Sequence, residues 1–152
     1  MACDMKTLHM MVGLPRSGKS TVARKLGYPI VCPDAIRQAL HGTPFRPQAE
    51  PMVWGVADTM VRALFEAGHS DVTLDACNCT FRMRGQWLSQ LWTVRYYLLD
   101  VSAAICKRRA ARNGQDHLLA VIDRMAAGFE PLYAMAGDTR LVRIGRSKVK
   151  VS

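Results

Sequence analysis

Gly13-Leu14-Pro15-Arg16-Ser17-Gly18-Lys19-Ser20 is the stretch of the sequence that decides the fold. It fits the spacing G-x-x-x-x-G-K-[ST] in full, and it lies between the short apolar run 7–12 and the helix-like segment 19–26. This spacing predicts an anion-binding loop only where a buried strand leads through a glycine turn into a helix, and the flanking segments have that pattern. The glycines let main-chain N–H groups turn inward, and the helix start adds positive potential, so the turn is predicted to hold an anion.

Outward from this turn, short apolar runs alternate with helix-length segments. Further strands are predicted over 29–31, 71–75, 93–99 and 140–144, and further helices over 34–41, 51–67, 82–91, 103–112 and 118–129. Asp34 follows Pro33 and is placed to cap the second helix. The alternation favours an α/β fold, a parallel sheet with helices on both faces. We expect one domain over residues 1–152, ending in a basic tail with Arg146, Lys148 and Lys150.

Composition narrows the class of protein. The 152 residues are 49% hydrophobic and 22% charged, which is typical of a globular domain. No apolar run reaches the roughly 18 residues of a membrane span, so we expect no membrane partner and a cytoplasmic location. The five cysteines have neither the number nor the spacing of a disulfide framework or a zinc site. A net charge of +9 favours a polyanionic partner such as nucleic acid over a merely basic surface.

The phosphate-binding loop (P-loop), Gly13–Ser20, predicts a site for ATP and Mg²⁺. Lys19 is expected to reach the β- and γ-phosphates, and the Ser20 hydroxyl to bind Mg²⁺. Asp75 ends a predicted strand, where it would hold a Mg²⁺-bound water or orient the P-loop; the alternative is a cap at a strand-to-helix turn. The residues predicted to contact ATP are Gly13, Pro15, Arg16, Ser17, Gly18, Lys19, Ser20 and Thr21.

Two further groups of side chains suit the acceptor and the moving phosphoryl group. Asp34 and Arg37 are spaced i, i+3, so they share a helix face on which Asp34 would take a proton from a hydroxyl and Arg37 would hold a phosphate. The alternative is a helix cap with a surface ion pair. Arg108 and Arg112 share a face of the segment 103–112 and would bind phosphoryl oxygens; the alternative is a solvated basic face.

A family resemblance runs through nearly the whole chain. Six stretches, in order, resemble the kinase domain of phage polynucleotide kinase and its bacterial relatives, which are P-loop kinases: Gly13–Thr21, Pro33–Gln38, Asp75–Asn78, Lys107–Arg112, Val121–Met125 and Phe129–Pro131. The chain departs from the family pattern at Cys77, Asn113 and Leu118-Leu119. The D-x-D-x-[TV] signature of the phage enzyme's 3′-phosphatase half does not occur in the sequence.

The resemblance implies a three-layer P-loop kinase fold with a five-stranded parallel sheet of order 2-3-1-4-5 and a small helical lid over about 103–129. It implies that Lys19 and Ser20 bind ATP and Mg²⁺, with Arg108 on the ATP side. It also implies that Asp34 activates a 5′-hydroxyl and that Arg112 stabilises the transferring phosphoryl group. Arg37 would contact the acceptor's 3′-phosphate. We also predict that Asp75 and Asn78 bind the substrate, and that the protein lies in the host cytoplasm if the gene is a phage gene.

These observations favour an ATP-dependent kinase acting on a hydroxyl of nucleic acid, foremost the 5′-hydroxyl of DNA or RNA. Within the same enzyme class, the alternatives are a kinase of hydroxymethylated pyrimidine in DNA and a kinase of a small molecule. From another class, the alternative is a nucleotide-dependent binding switch, which would need no base at Asp34. Oligomeric state is not predictable from these patterns.

Overall fold

A computed structural model describes residues 5–42, 45–132, 138–144 and 149–151 of the 152-residue chain. The strands are β1 (Thr7–Val12), β2 (Ile30–Val31), β3 (Asp71–Leu74), β4 (Thr93–Leu99), β5 (Asp138–Ile144) and β6 (Val149–Val151). The helices are α1 (Lys19–Leu26), α2 (Pro33–His41), α3 (Glu50–Glu66), α4 (Phe81–Gly85), α5 (Ala103–Arg112) and α6 (Leu119–Ala127). Within the described residues, no helix is both long enough and apolar enough to cross a bilayer.

The strands form one sheet in the order β2-β3-β1-β4-β5-β6. Four parallel pairings join β2, β3, β1, β4 and β5 in the predicted order, which confirms that part of the fold. The sixth strand, β6, was not predicted: it pairs antiparallel with β5 in the segment expected to be a basic tail. An antiparallel return needs only a short connection, so a sequence as brief as Val149-Lys150-Val151 can add an edge. Arg146 and Lys148 lie outside the described residues.

Helices cover both faces of the sheet because β1 is apolar on both of its faces. Leu8, Met10 and Val12 pack in the larger core, where α3 contributes Val53, Ala57, Val61 and Phe65. Met11 lies between Met10 and Val12 in the strand, so its side chain is on the opposite face of the sheet, where it packs with Val22 and Ala23 of α1. A central parallel strand has both faces buried, and His9 is a buried polar exception among these apolar side chains. This arrangement places the P-loop at the carboxyl end of the most buried strand.

Two local predictions were wrong. The helix predicted over 82–91 is α4, which ends at Gly85. After it, Trp87 and Trp92 are both buried, and the Trp92 indole N–H donates to the Trp87 carbonyl at 2.9 Å, so tertiary packing replaces the last helical turns. The predicted cap of α2 is also wrong: Cys32 occupies the N-cap position, and Asp34 lies in the first turn with its carboxylate free for other contacts.

A buried histidine links three neighbouring strands. His9 of β1 is 1% exposed, its Nε2 lies 2.7 Å from the Asp71 carboxylate of β3, and its Nδ1 lies 2.9 Å from the Tyr97 hydroxyl of β4. Because a carboxylate only accepts, Nε2–H donates to Asp71 and the Tyr97 hydroxyl donates to Nδ1 of the neutral ring. Burial lowers the pKa of His9 and outweighs the bond to Asp71, which raises it.

Acidification is therefore expected to destabilise the fold through His9. Its pKa is lower in the folded state, so the unfolded chain takes up the proton first as the pH falls below about 6.5, and the free energy of unfolding decreases. Urea unfolding between pH 5 and 7.5 should show this slope, and His9→Gln should flatten it. The matched control is His69→Gln, which alters an exposed ring. If the free energy of unfolding of His9→Gln depended on pH as in the unchanged protein, His9 would not be the group that causes the acid destabilisation.

Candidate active site

The P-loop leaves β1 and enters α1 through two residues with left-handed backbone. Gly18 has φ 104°, and Arg16 has φ 66°, a conformation that costs free energy in a residue with a side chain. Gly13 has no room for a side chain, since an added Cβ would lie 2.8 Å from Ser17 Oγ and 3.2 Å from the Leu99 carbonyl oxygen. Glycine is therefore required at position 13, and the backbone at positions 16 and 18 is held in a conformation that most residues avoid.

The residues of the P-loop fit a phosphate ligand. Lys19 is 9% exposed, and its ammonium donates to the Leu14 carbonyl across the loop at 2.8 Å. Ser17 Oγ is buried and has no hydrogen-bond partner among the described residues, so a donor is available inside the loop. Together with the start of α1, these groups form a positive concavity of the kind that holds phosphate.

The predicted magnesium residues meet at the mouth of this loop. The Ser20 hydroxyl donates to Asp75 Oδ2 at 2.7 Å, although 55 positions separate them in sequence. A hydroxyl next to a carboxylate is a donor set that suits Mg²⁺, so these two residues fit the ion. Asp75 is not the cap of α4, because the Thr80 side chain holds that position by accepting from Met83 N–H.

Residues 75–80, here called the site wall, connect β3 to α4 beside the P-loop. The Gly13 N–H donates to the Cys77 carbonyl at 3.0 Å, and the Asn78 amide donates to the Met11 carbonyl at 2.8 Å. Asn78 is 2% exposed and has φ 48°, so its side chain supports the end of β1 instead of facing an open acceptor site. A hydrogen bond from the Cys79 thiol, together with nearby Lys19, lowers the pKa of Cys77.

The acceptor pair contains a third member that the sequence analysis did not identify. Arg37 Nη1 donates to Asp34 at 2.6 Å, as the i, i+3 spacing predicts. Arg37 Nε and Nη2 both donate to the Glu50 carboxylate at 2.7 Å, and the Trp54 indole N–H donates to the same carboxylate at 3.1 Å. The bond to Glu50 is the main reason that the pKa of Arg37 is raised. Glu50 follows a proline-containing loop and begins a different helix, so no local spacing points to it.

Asp34 and Asp75 follow the carboxyl ends of two adjacent parallel strands, since Val31 of β2 pairs with Leu74 of β3 and the Asp75 N–H donates to the Val31 carbonyl at 2.9 Å. Both carboxylates act on the Cys32 thiol, whose pKa is raised first by burial and then by these two charges. Cys77 is likewise influenced by both Lys19 and Asp34. The Asp34 side chain remains 79% exposed, so it is open to a ligand. The structure thus brings the predicted base, the predicted magnesium residues and the P-loop lysine to one edge.

The lid, here the helices α5 and α6 with their connection, contacts the P-loop through an arginine that the sequence analysis did not single out. Arg109 Nη1 donates to the carbonyls of Arg16 and Ser17 at 3.1 and 3.2 Å. Arg108 and Arg112, the two predicted phosphoryl ligands, are exposed. Lys107 forms an ion pair with Asp123 of α6 at 2.7 Å and joins the two lid helices.

Comparisons with known proteins identify the family of the chain. The profile of the family described as an AAA domain matches residues 8–132. The chain belongs to this family. The match spans strands β1 to β4, the P-loop, the acceptor pair and the lid. No curated protein matches the sequence.

Solved structures share the fold at low sequence identity. The Pnkp1/Rnl/Hen1 complex contains a chain 24% identical, with a TM-score of 0.63 over 69% of this protein and 39% of that chain. A gluconokinase from Sinorhizobium meliloti 1021 is 16% identical, with a TM-score of 0.60 over 90% of this chain and 83% of its own. Shikimate kinase from Acinetobacter baumannii is 16% identical, with a TM-score of 0.53 over 94% and 86%. The protein thus has the fold of P-loop kinases, a fold that implies ATP and usually Mg²⁺.

Proposed function

We propose that the protein is an ATP-dependent kinase that transfers the γ-phosphate to a hydroxyl of nucleic acid, namely the 5′-hydroxyl of a polynucleotide. The observation that carries the proposal is the position of Asp34, an exposed carboxylate held by Arg37 at the end of β2. Parallel pairing of β2, β3 and β1 places it at the same sheet edge as Asp75 and the P-loop with Lys19 and Ser20. A nucleotide-dependent switch has no use for a base at this point. The net charge of +9 supports a polyanionic acceptor, as does the likeness to a chain of the Pnkp1/Rnl/Hen1 RNA repair complex.

The residues of the P-loop, the acceptor pair and the lid have separate roles in this proposed reaction. The P-loop N–H groups and Lys19 hold the β- and γ-phosphates, and Asp34 accepts the proton of the attacking hydroxyl. Ser20 and Asp75 would hold Mg²⁺, which when bound neutralises charge on the phosphate oxygens. Lid cations, foremost Arg112 and Arg108, would approach the transferring phosphoryl group when the lid closes over ATP.

A small-molecule kinase is the second candidate, and one observation favours it. Arg37, the residue proposed to contact the acceptor's 3′-phosphate, is already bound by the carboxylates of Asp34 and Glu50. The three side chains together carry a net charge of −1, which is less attractive to an acceptor phosphate than a free guanidinium. The structural likeness to gluconokinase and shikimate kinase points the same way.

An acceptor panel with γ-labelled ATP tests the proposal. The panel contains 5′-hydroxyl single-stranded DNA, the same sequence as RNA, blunt duplex, duplex with hydroxymethylated pyrimidine, nucleosides, gluconate and shikimate. Label on the 5′ end of an oligonucleotide is the expected result. Label on the modified duplex alone, or on a small molecule alone, would show that the acceptor is that compound and not the 5′-hydroxyl of a polynucleotide. ATP hydrolysis without label on any of them would contradict the kinase assignment.

Glu50→Gln is expected to lower kcat for transfer to an oligonucleotide by about tenfold, because Arg37 loses the carboxylate that orients its guanidinium, and with it the Asp34 carboxylate to which it donates. The negative charge that the substitution removes acts in the opposite direction, on the KM for the acceptor. The KM for ATP should not change, since Glu50 lies on the acceptor side. Steady-state kinetics with each substrate varied in turn separate the two effects. Glu66→Gln, an exposed carboxylate at the end of the same helix, is the control. An equal rise in both KM values would show that Glu50 acts through overall stability.

A further inference from the structure

Arg84 is a buried cation that the proposed reaction leaves without a role. It is 0% exposed on the short helix α4, and burial lowers its pKa. Its guanidinium donates to three main-chain carbonyls: Nη1 to Asn78 at 2.8 Å, and Nη2 to Glu130 at 2.7 Å and Pro131 at 3.3 Å. Burying a charge is costly, and an apolar side chain would fill the same space more cheaply. The reason for an arginine at this position is therefore sought in the two segments to which these carbonyls belong.

The first carbonyl belongs to the site wall. Asn78 lies three residues after Asp75, whose carboxylate accepts from Ser20, and one residue after Cys77, whose carbonyl accepts from Gly13. The left-handed backbone at Asn78 turns its carbonyl out of the β3 direction. Through Asn78, Arg84 therefore holds the segment that positions the magnesium carboxylate against the P-loop.

The other two carbonyls belong to the segment through which the chain leaves the lid. Residues 128–131, here called the lid return, follow α6 directly. The Glu130 N–H donates to the Cys79 carbonyl at 2.9 Å, and the Glu130 carboxylate accepts from the Phe81 N–H. The N–H, the carbonyl and the side chain of Glu130 are thus all bound to residues 79–84.

The lid itself packs on the P-loop and the site wall. Leu14 of the P-loop and Cys79 of the site wall share a small core with Cys106, Ala110 and Ile122 of the lid. Arg109 adds its two bonds to P-loop carbonyls. A shift of the lid return would therefore move the lid cations relative to the triphosphate site.

We propose that Arg84 is a positioning residue that ties the lid return to the site wall and so sets the place of the lid cations above the P-loop. The inference rests on the proposed function only for its kinetic readout. Arginine suits the task because its planar fork donates to both segments at once, whereas a lysine ammonium is a single point of charge on a flexible stem. A displacement of about 1 Å in a catalytic group can cost about 100-fold in rate.

The test compares Arg84→Met and Arg84→Lys with Arg82→Met, which alters an exposed arginine on the same helix. Trypsin cleavage within 107–112, with and without ATP, reports on the lid, and the KM for ATP reports on the site. Both Arg84 variants are expected to be cleaved about tenfold faster and to show an about tenfold higher KM for ATP, well below their unfolding temperature. Arg82→Met should match the unchanged protein in both.

Lid cleavage and KM values equal to those of the unchanged protein, alongside a lower thermal midpoint, would overturn the proposal and leave Arg84 as a purely structural residue. Should Arg84→Met fail to fold, Arg84→Lys and Glu130→Ala carry the test, because the latter removes only the side-chain bond to Phe81. Trypsin cleavage and binding of a fluorescent ATP analogue need no acceptor. If no acceptor is labelled while lid cleavage still depends on Arg84, the proposed function fails and this inference stands.

Discussion

Asp34→Asn is expected to lower phosphoryl transfer to the acceptor by about 10²- to 10⁴-fold, the range that general base catalysis contributes. The substitution keeps the shape of the side chain and leaves an oxygen that can accept from Arg37, whose Nη1 lies 2.6 Å from Asp34. What it removes is the ability to take a proton from a hydroxyl. Single-turnover label transfer measures the loss, and titration with a fluorescent ATP analogue should show unchanged nucleotide binding.

Asp58→Asn is the matched control for this substitution. Asp58 is also a partly exposed helical carboxylate paired with an arginine, since Arg62 Nε lies 2.8 Å from it, but it lies on α3 away from the P-loop. Its loss should leave transfer unchanged. Undiminished transfer by Asp34→Asn would show that Asp34 is not the base, and that Asp34 and Arg37 form only a surface ion pair.

Lys19→Met is expected to lower transfer by about 10²- to 10³-fold, the typical cost of removing one donor from a site where charge develops. The methionine keeps much of the apolar stem, but the ammonium that now bonds to the Leu14 carbonyl is lost. Because Lys19 acts on the phosphates and not on the acceptor, ATP hydrolysis and transfer to every acceptor should fall together. Asp34→Asn, in contrast, should spare nucleotide binding.

Lys25→Met provides the comparison for Lys19. Lys25 is an exposed cation in the last turn of the same helix, so its replacement removes the same charge without touching the loop. Both variants should unfold at similar temperatures to the unchanged protein. Hydrolysis that is retained in Lys19→Met would show that the triphosphate is not held at this loop.

The candidate site was predictable where the signal is local. The P-loop spacing is continuous in sequence, and its flanking strand and helix were found where the pattern indicates. The pair Asp34 and Arg37 follows from helical spacing alone. Glu50 and Arg109 were missed because each acts on a segment far away in the chain, 13 residues from Arg37 and 92 or more from the P-loop carbonyls.

Helix length failed as a prediction for a related reason. The segment after Gly85 has the apolar content of a helix, yet α4 ends there and Trp87 and Trp92 are both buried outside it. The strand β6 was missed because Val149–Val151 is too short to show periodicity, and an edge strand is defined by its partner.

The sequence by itself determined the P-loop at Gly13–Ser20, the alternation that builds a parallel sheet, and the carboxylate that follows β3. These features depend on the spacing of residues within short segments, and that spacing is present in the sequence before the chain folds. Only the tertiary structure decided that Ser20 meets Asp75, that Glu50 occupies the fork of Arg37, and that Arg84 joins the site wall to the lid return. Contacts between distant segments exist only once the sheet has brought the strand ends together, and no local spacing encodes them.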